Sequence, residues 1–249
     1  MKLRSVVRFG TDLARNPLAV RDLPQWLALY RRRGDGSPLG DEIPWLTFGA
    51  IRFLEARVRP DLRVFEWGSG GSTLYFTARC REVVSVEHDR AFHDRVKARL
   101  KERGRTNSTL LLEEPAAEGR CASRHPHHRG QFFDSYVATI ERFPAAHFDL
   151  ISVDGRQRNA CARAALAHLK PGGLVLLDNS DRFYYRPGIE FMVVLRSAMV
   201  AAGGPEALIC RKFISNDTCL VTPRVSAAIA DKPTTWLRDG SSSWIRPLV

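Results

Sequence analysis

The stretch VFEWGSGGSTLYF, residues 64–76, combines residue types that could bind a charged or nucleoside ligand. An apolar run ends in a carboxylate, Glu66, and opens directly into a glycine-rich turn. Glycines let backbone N–H groups approach a ligand closely, and the start of a following helix favours negative charge. The residues of this turn that could contact a ligand are Gly68, Ser69, Gly70, Ser72 and Thr73.

Two classes of cofactor are bound by such turns, dinucleotides and S-adenosylmethionine. The dinucleotide fingerprint G-x-G-x-x-G has a glycine at its third position, where this chain has Thr73. The next apolar run ends in Glu87, 17 residues after Gly70. A carboxylate at that place can accept hydrogen bonds from both ribose hydroxyls of a nucleoside, which makes the turn a stronger signal than glycines alone.

The elements that must position these residues follow from apolar periodicity. Short apolar runs alternate five times with amphipathic segments, and the runs are continuous, as in strands that are covered on both faces. The chain is therefore predicted to form an α/β fold with a doubly wound, mainly parallel sheet. The five predicted strands cover residues 62–67, 82–88, 108–114, 148–155 and 174–180, and residues 207–223 are predicted to form two antiparallel strands. The predicted helices include residues 89–104 with Asp89 as the N-cap, residues 159–173 with Pro171, Gly172 and Gly173 as the stop, and residues 188–204.

Ligands of such sheets bind outside the carboxyl ends of the strands. Polar or acidic residues close nearly every predicted strand of this chain, which points to a site at that edge. They are Glu66 to Thr73, Glu87, His88, Glu113, Glu114, Asp154 to Arg158 and Asp178 to Arg182.

FEWGSGGST, VVSVEHD, FDLISVDGR and LKPGGLVLLDNSDR resemble, in order and spacing, the class I S-adenosylmethionine-dependent methyltransferases. The resemblance covers roughly residues 43–222 and implies a Rossmann-like sheet of seven strands whose last strand is antiparallel. It also implies that the glycine turn holds the methionine end of the cofactor and that Glu87 holds the ribose. The residues predicted to bind the cofactor are Glu66, Gly68, Ser69, Gly70, Ser72, Thr73, Glu87, His88, Glu114 and Asp154.

Methyl transfer is an in-line displacement, so the protein must orient the acceptor and help to remove a hydroxyl proton. Asp154 and Asp178, which close the fourth and fifth strands, are the first candidates for these catalytic roles. The Asn-Pro-Pro-aromatic motif of many amine methyltransferases is missing, which favours an oxygen of a small or conjugated acceptor. Two rival hypotheses are a nucleic-acid methyltransferase and a binding domain without catalytic activity.

Asp154, Asp178 and Asn179 also offer hard oxygen ligands that suit Mg²⁺. The arrangement resembles the metal-dependent O-methyltransferases that act on catechols and caffeoyl thioesters, but the catalytic lysine of that group is absent. Nearby arginines could compete with a cation by pairing with the aspartates, or could bind an anionic acceptor. The residues predicted to bind the substrate are Arg156, Arg158, Asn179 and Arg182.

The stretch CASRHPHHRGQ, residues 121–131, follows the third strand and should emerge on the cofactor side. We interpret it either as a lid over the acceptor, with His125 or His128 as a candidate base, or as a plain solvated loop. A zinc site is the weaker interpretation, because no second cluster supplies the usual paired ligands.

The charge of the chain is uneven. The chain has 249 residues and a net charge of +11. Residues 1–40 contain eight Lys or Arg and three Asp, which gives this segment a net charge of +5. We expect a basic, partly helical appendage over residues 1–40, the methyltransferase domain over 41–223 and a tail over 224–249. The basic end could serve as an arm in a nucleic-acid methyltransferase, but no nucleic-acid motif accompanies it, which argues against nucleic acid as a partner.

The composition of the chain indicates the cellular environment in which we expect the protein. No apolar run is long enough to cross a bilayer, and the first residues lack the apolar stretch of a secretory signal. Five scattered cysteines without C-x-x-C spacing indicate reduced thiols, and we expect a cytoplasmic protein. A homodimer is a candidate assembly.

Overall fold

A central seven-stranded sheet organises the molecule. The computed structural model describes residue 24 and residues 38–46, 48–123, 126–178, 207–213, 216–222, 237–238 and 244–245. The strands are β1 (Arg63–Trp67), β2 (Glu82–Glu87), β3 (Ser108–Leu112), β4 (Phe148–Val153), β5 (Leu169–Asp178), β6 (Ala207–Phe213) and β7 (Asn216–Thr222), with a separate pair formed by β8 (Leu237–Arg238) and β9 (Trp244–Ile245).

The strand order is β3-β2-β1-β4-β5-β7-β6. Strands β1 to β5 pair in parallel, and β7 runs antiparallel to both β5 and β6. The predicted fold, a doubly wound and mainly parallel Rossmann-like sheet with an antiparallel last strand, is therefore confirmed.

Six helices are described around the sheet, most of them close to the predicted positions. They are α1 (Pro38–Asp41), α2 (Phe48–Glu55), α3 (Gly71–Thr77), α4 (Arg90–Glu102), α5 (Asp134–Ala138) and α6 (Arg158–His168), with 3-10 turns at Pro126–His128 and Thr139–Arg142. Asp89 caps α4 as predicted, since its carboxylate accepts a hydrogen bond of 2.7 Å from the Phe92 backbone nitrogen. The helix predicted over residues 188–204 lies outside the described residues, as do most of the predicted appendage and tail.

One predicted boundary is wrong. Pro171, Gly172 and Gly173 were expected to end the helix before β5, but they lie inside β5, which begins at Leu169. The register between β4 and β5 shifts at this point, and Gly172 has a φ of 81°, so the motif makes an irregularity within the strand.

The core forms two layers, one on each face of the sheet. Alternate residues of β1 point to opposite faces: Phe65 and Trp67 pack with residues of α5 and α6, whereas Val64 packs with α2 and α3. Both faces are covered, which explains why the strand is apolar almost throughout. Glu66 is the exception, being 1% exposed on the face of Val64.

Residues 38–43 close one end of the domain. A side chain on Gly71, the first residue of α3, would collide with the backbone oxygens of Pro38 and Ile43. Leu39 packs with residues of α3 and α4, and Glu42 pairs with Arg99 at 3.1 Å. The residues on either side of the predicted boundary at 40/41 therefore pack together against the domain.

Within the part of the chain that the structure describes, no helix combines the length and the apolar character needed to span a bilayer. Cys80, Cys121 and Cys161 carry free thiols.

Candidate active site

The sheet topology brings three loops together at one edge. β1 lies between β2 and β4, and Trp67 is in register with both Val86 and Val153. The loops that follow these strands enclose a cavity of about 500 Å³. The cavity is lined by Gly68, Ser69, Glu87, His88, Asp89, Ala91, Phe92, Arg95, His128, Asp154, Gly155, Arg156 and Arg158.

Gly68, the first residue of the glycine turn, lies between the end of β2 and the loop after β4 and contacts both. The Gly68 backbone nitrogen donates to the Val86 carbonyl oxygen at 2.9 Å. Gly68 has a φ of 98°, and a Cβ atom at this position would lie 2.9 Å from the Gly155 nitrogen. The turn therefore requires glycine here both for its backbone conformation and for its contact with the loop after β4.

The buried carboxylate of Glu66 stabilises the glycine turn through hydrogen bonds. Its Oε1 accepts hydrogen bonds from the Thr73 hydroxyl and, at 2.6 Å, from the Ser85 hydroxyl. Thr73 in turn accepts a hydrogen bond from the Gly70 backbone nitrogen at 2.9 Å. Burial raises the pKa of Glu66 to about 7, although the hydroxyls of Ser85, Thr73 and Ser72 oppose the shift. Glu66, Gly70, Ser72 and Thr73 thus shape the turn and do not line the cavity.

Glu87 presents a carboxylate to the cavity and is held from two sides. Its Oε2 accepts hydrogen bonds from the Ser69 backbone nitrogen and hydroxyl at 3.2 and 3.0 Å. Its Oε1 accepts from the backbone nitrogens of His88 and Asp89 at 2.8 and 2.9 Å. Burial alone would raise the pKa of Glu87, but the hydrogen bonds, led by those from His88, outweigh it and lower the pKa.

Two histidines meet on the same wall. The Nδ1 atom of His88 lies 2.8 Å from Glu87 Oε1, and its Nε2 accepts a hydrogen bond of 3.2 Å from Arg156 Nε. The ring centres of His88 and His128 are 5.3 Å apart. His128 Nδ1 lies 2.7 Å from Gln131 Oε1, which orients the ring. His88 and His128 therefore both line the cavity.

The histidine-rich loop is tied to the domain at two points that the sequence did not reveal. The Asp134 carboxylate accepts a hydrogen bond from the Cys121 backbone nitrogen at 3.1 Å. Gln157 donates through Nε2 to the carbonyl oxygens of Cys121 and Ala122 at 3.1 and 2.7 Å. His125 lies outside the described residues. The described part of the loop is thus anchored next to the cavity, and whether it acts as a lid stays a prediction.

The two predicted catalytic aspartates differ in exposure. Asp154 follows β4, lines the cavity and has a side chain that is 32% exposed. Asp178 ends β5 with a side chain that is 4% exposed, and it does not line the cavity. Burial raises the pKa of Asp154, and the Arg158 guanidinium opposes this shift. Only Asp154 can therefore reach a molecule in the cavity as the structure stands.

The predicted Mg²⁺ site is not supported. Arg158 lies between the two aspartates, 2.8 Å from Asp154 Oδ1 and 3.4 Å from Asp178 Oδ2, where a cation would have to bind. Over the described ranges, no three His, Cys, Asp or Glu residues are grouped so that they could hold a metal ion. Asn179, the third predicted ligand, lies outside those ranges.

The arginines that were predicted to bind the substrate differ in what they contact. Arg158 was expected to bind the acceptor, but its donors are engaged by protein oxygens. Arg156 contacts His88 and lines the cavity. Arg182 lies outside the described residues.

Glu114 was predicted to face the adenine. Its side chain is 49% exposed and forms an ion pair with Arg90, and it is not among the residues that line the cavity.

Known proteins resemble the chain in part. No protein-family model matches it. Over 103 residues it is 44% identical to protein-L-isoaspartate O-methyltransferase from Nitrobacter winogradskyi, a match that covers 38% of this chain and 42% of the relative. The chain therefore spans less than half of the length of that relative.

Solved structures share the fold. A putative O-methyltransferase from Klebsiella pneumoniae superposes with a TM-score of 0.50 and 18% identity, covering 70% of this chain and 77% of that one. The O-methyltransferase TomG from Streptomyces achromogenes, solved with S-adenosylmethionine, gives a TM-score of 0.48 and 21% identity over 74% and 84% of the two chains. By its strand order and its likeness to the structure from Klebsiella pneumoniae, the chain has the fold of the class I S-adenosylmethionine-dependent methyltransferases, as the sequence motifs predicted.

Proposed function

We propose that the chain is a methyltransferase that moves the methyl group of S-adenosylmethionine to an oxygen of a small or conjugated acceptor. The observation that carries this proposal is the cavity wall, on which the backbone of Gly68 and Ser69 adjoins the carboxylate of Glu87. A lowered pKa keeps Glu87 ionised, which suits an acceptor of hydrogen bonds from a ribose.

The cavity residues fit the two ends of such a cofactor. Ribose hydroxyls would replace the Ser69 hydroxyl on Glu87, and the bare backbone at Gly68 leaves room for the methionine end. His88, which lies next to Glu87 and bonds to Arg156, would border the nucleoside. Asp154 lines the same cavity, on the loop after β4.

Asp154 and His128 are the residues that we assign to the acceptor. Asp154 is partly exposed to the cavity and is held by Arg158, so it can orient a hydroxyl by hydrogen bonding. His128 lines the same cavity with its ring oriented by Gln131, and an imidazole in that place can accept the hydroxyl proton. When bound, S-adenosylmethionine would supply the methyl group and would be converted to S-adenosylhomocysteine.

Two observations support an oxygen acceptor that carries negative charge. The relative from Nitrobacter winogradskyi is by its name an O-methyltransferase. Arg156 contacts His88 through Nε and lines the cavity, and a guanidinium there could bind a carboxylate or phosphate.

The proposal is tested by calorimetric titration with S-adenosylhomocysteine. We expect the wild-type protein to bind it, and Glu87→Gln to bind at least about tenfold more weakly, because hydrogen bonds to a charged group are worth about 1.5–3 kcal/mol. Glu102→Gln removes the same charge from the surface, where Glu102 pairs with Arg99, and should leave the affinity unchanged.

Failure of the wild type to bind, or equal affinities in all three proteins, would refute the proposed cofactor site. Binding together with no transfer of a labelled methyl group to hydroxyl, carboxylate or nucleic-acid acceptors would instead favour the non-catalytic hypothesis. Transfer to nucleic acid alone would favour the second rival.

A further inference from the structure

Five oxygen atoms converge on the guanidinium of Arg158. Nε donates to the Gly155 carbonyl oxygen at 3.1 Å. Nη1 lies 2.6 Å from the carbonyl oxygen and 3.4 Å from the Oδ2 atom of Asp178. Nη2 lies 2.8 Å from both the carbonyl oxygen and the Oδ1 atom of Asp154. A guanidinium has five N–H donors, so each of them has an acceptor here.

The strands dictate this convergence. Val153 of β4 is in register with Leu177 of β5, so the next residues, Asp154 and Asp178, end neighbouring strands side by side. Arg158 is the first residue of α6, four positions after Asp154, and its side chain returns over both strand ends with only 8% of its surface exposed.

Such a set of oxygens is also what a hard divalent cation requires. Carboxylate and carbonyl oxygens in this number are the usual ligands of Mg²⁺ or Ca²⁺. The Asp178 carboxylate is buried and the Asp154 carboxylate is partly buried, so both are stabilised by a positive partner. In this chain that partner is a side chain of the protein itself, Arg158.

We propose that Arg158 is the resident cation of this edge of the sheet: its guanidinium takes the place of a divalent metal between Asp154 and Asp178 and positions Asp154 at the cavity wall. The positioning of an acceptor by Asp154 rests on the proposed function. The exclusion of a metal does not, because it follows from the contacts of Arg158 alone.

Manganese is a suitable probe, since free Mn²⁺ is counted directly by electron paramagnetic resonance. The wild-type protein should bind no Mn²⁺ at Asp178. Any Mn²⁺ that it binds elsewhere should therefore still bind to Asp178→Asn. Arg158→Ala should vacate the oxygen set and gain one Mn²⁺ per chain, with an affinity at least about tenfold above that of the wild type, because a divalent ion would relieve the repulsion of two unpaired carboxylates. Adding Asp178→Asn to Arg158→Ala should abolish the gain.

A second variant protects the test against misfolding. Arg158→Gln keeps donors for some of the same oxygens but lacks the charge, and it should also gain Mn²⁺ together with a rise in melting temperature. The proposal is overturned if the wild type binds a stoichiometric Mn²⁺ that Asp178→Asn removes. It is equally overturned if either Arg158 variant, folded by circular dichroism, binds no more Mn²⁺ than the wild type.

S-adenosylhomocysteine separates this inference from the proposed function. A wild-type protein that binds neither the nucleoside nor Mn²⁺ would refute the function and retain Arg158 as the cation. A wild-type protein that binds the nucleoside and also a stoichiometric Mn²⁺ that Asp178→Asn removes would retain the function and refute the inference.

Discussion

Gly68 and Gly155 touch backbone to backbone. A Cβ atom on Gly68 would lie 2.9 Å from the Gly155 nitrogen, and one on Gly155 would lie 2.9 Å from the Gly68 nitrogen. The turn after β1 and the loop after β4 are therefore shaped by each other. Since the first of these loops borders the proposed cofactor and the second carries Asp154, this contact sets the distance between the two halves of the site.

Substitution of Gly68 by alanine should be strongly destabilising. Alanine would adopt a φ of 98° at a cost of about 1–2 kcal/mol, and the collision with Gly155 would add about 1–3 kcal/mol. Urea unfolding of Gly68→Ala should therefore show a loss of about 2–5 kcal/mol in the free energy of unfolding.

Gly104→Ala is the matched control. Gly104 also has a positive φ, of 61°, but nothing lies within 4 Å of a Cβ atom added there. It should lose only the conformational part, about 1–2 kcal/mol. Equal losses in the two variants would mean that the contact between Gly68 and Gly155 does not constrain the turn.

The parts of the site that the sequence predicted are those with local signals. Gly68 and Ser69 follow an apolar run, Glu87 ends the next one, and Asp89 stands at a helix start. Each signal lies within a few residues of the feature that it predicts, and the alternation of strands and helices then places the features at one edge of the sheet.

Pairing between distant side chains has no such signal. The sequence showed that arginines stand near Asp154 and Asp178, but not which of them pairs with both. Only the return of α6 over the strand ends makes Arg158 the cation and leaves Arg156 at the cavity. The magnesium hypothesis is not supported for that reason, since carboxylates alone do not show what neutralises them.

Gln157 shows the same limit for backbone conformation. It has a φ of 50°, a conformation usually taken by glycine or asparagine, and its side chain anchors the loop at Cys121 and Ala122. A glutamine carries no signal for either property.

Gln157→Gly should loosen the loop with little effect on the whole domain. Loss of two hydrogen bonds of about 1 kcal/mol each is offset by relief of about 1–2 kcal/mol of backbone strain. The free energy of unfolding should therefore stay within about 1 kcal/mol of the wild type, whereas trypsin should cleave faster after the exposed residues Arg120 and Arg129.

Limited proteolysis followed by mass spectrometry measures this effect. Gln157→Asn is the control, because asparagine tolerates the left-handed conformation but its side chain is one methylene shorter. An unchanged cleavage rate in Gln157→Gly would show that the two hydrogen bonds do not hold the loop.

Glu66 should make the stability of the protein depend on pH. Its pKa rises from an ordinary value of 4.5 to about 7 because the carboxyl group is buried. The folded state therefore holds a proton that the unfolded state has lost, so the stabilisation is complete below pH 4.5 and is lost as the pH rises through about 7. A shift of this size corresponds to about 3 kcal/mol.

Glu66→Gln removes the titrating group and keeps an oxygen for Thr73 and Ser85. The variant should gain stability relative to the wild type, by up to about 3 kcal/mol, as the pH rises from 4.5 past 7, because glutamine stays neutral while the buried carboxyl group must ionise. Urea unfolding across this range measures the difference. Glu118→Gln, at a surface position, controls for the loss of one negative charge. A difference that is independent of pH would show that Glu66 ionises in the folded protein as readily as in water.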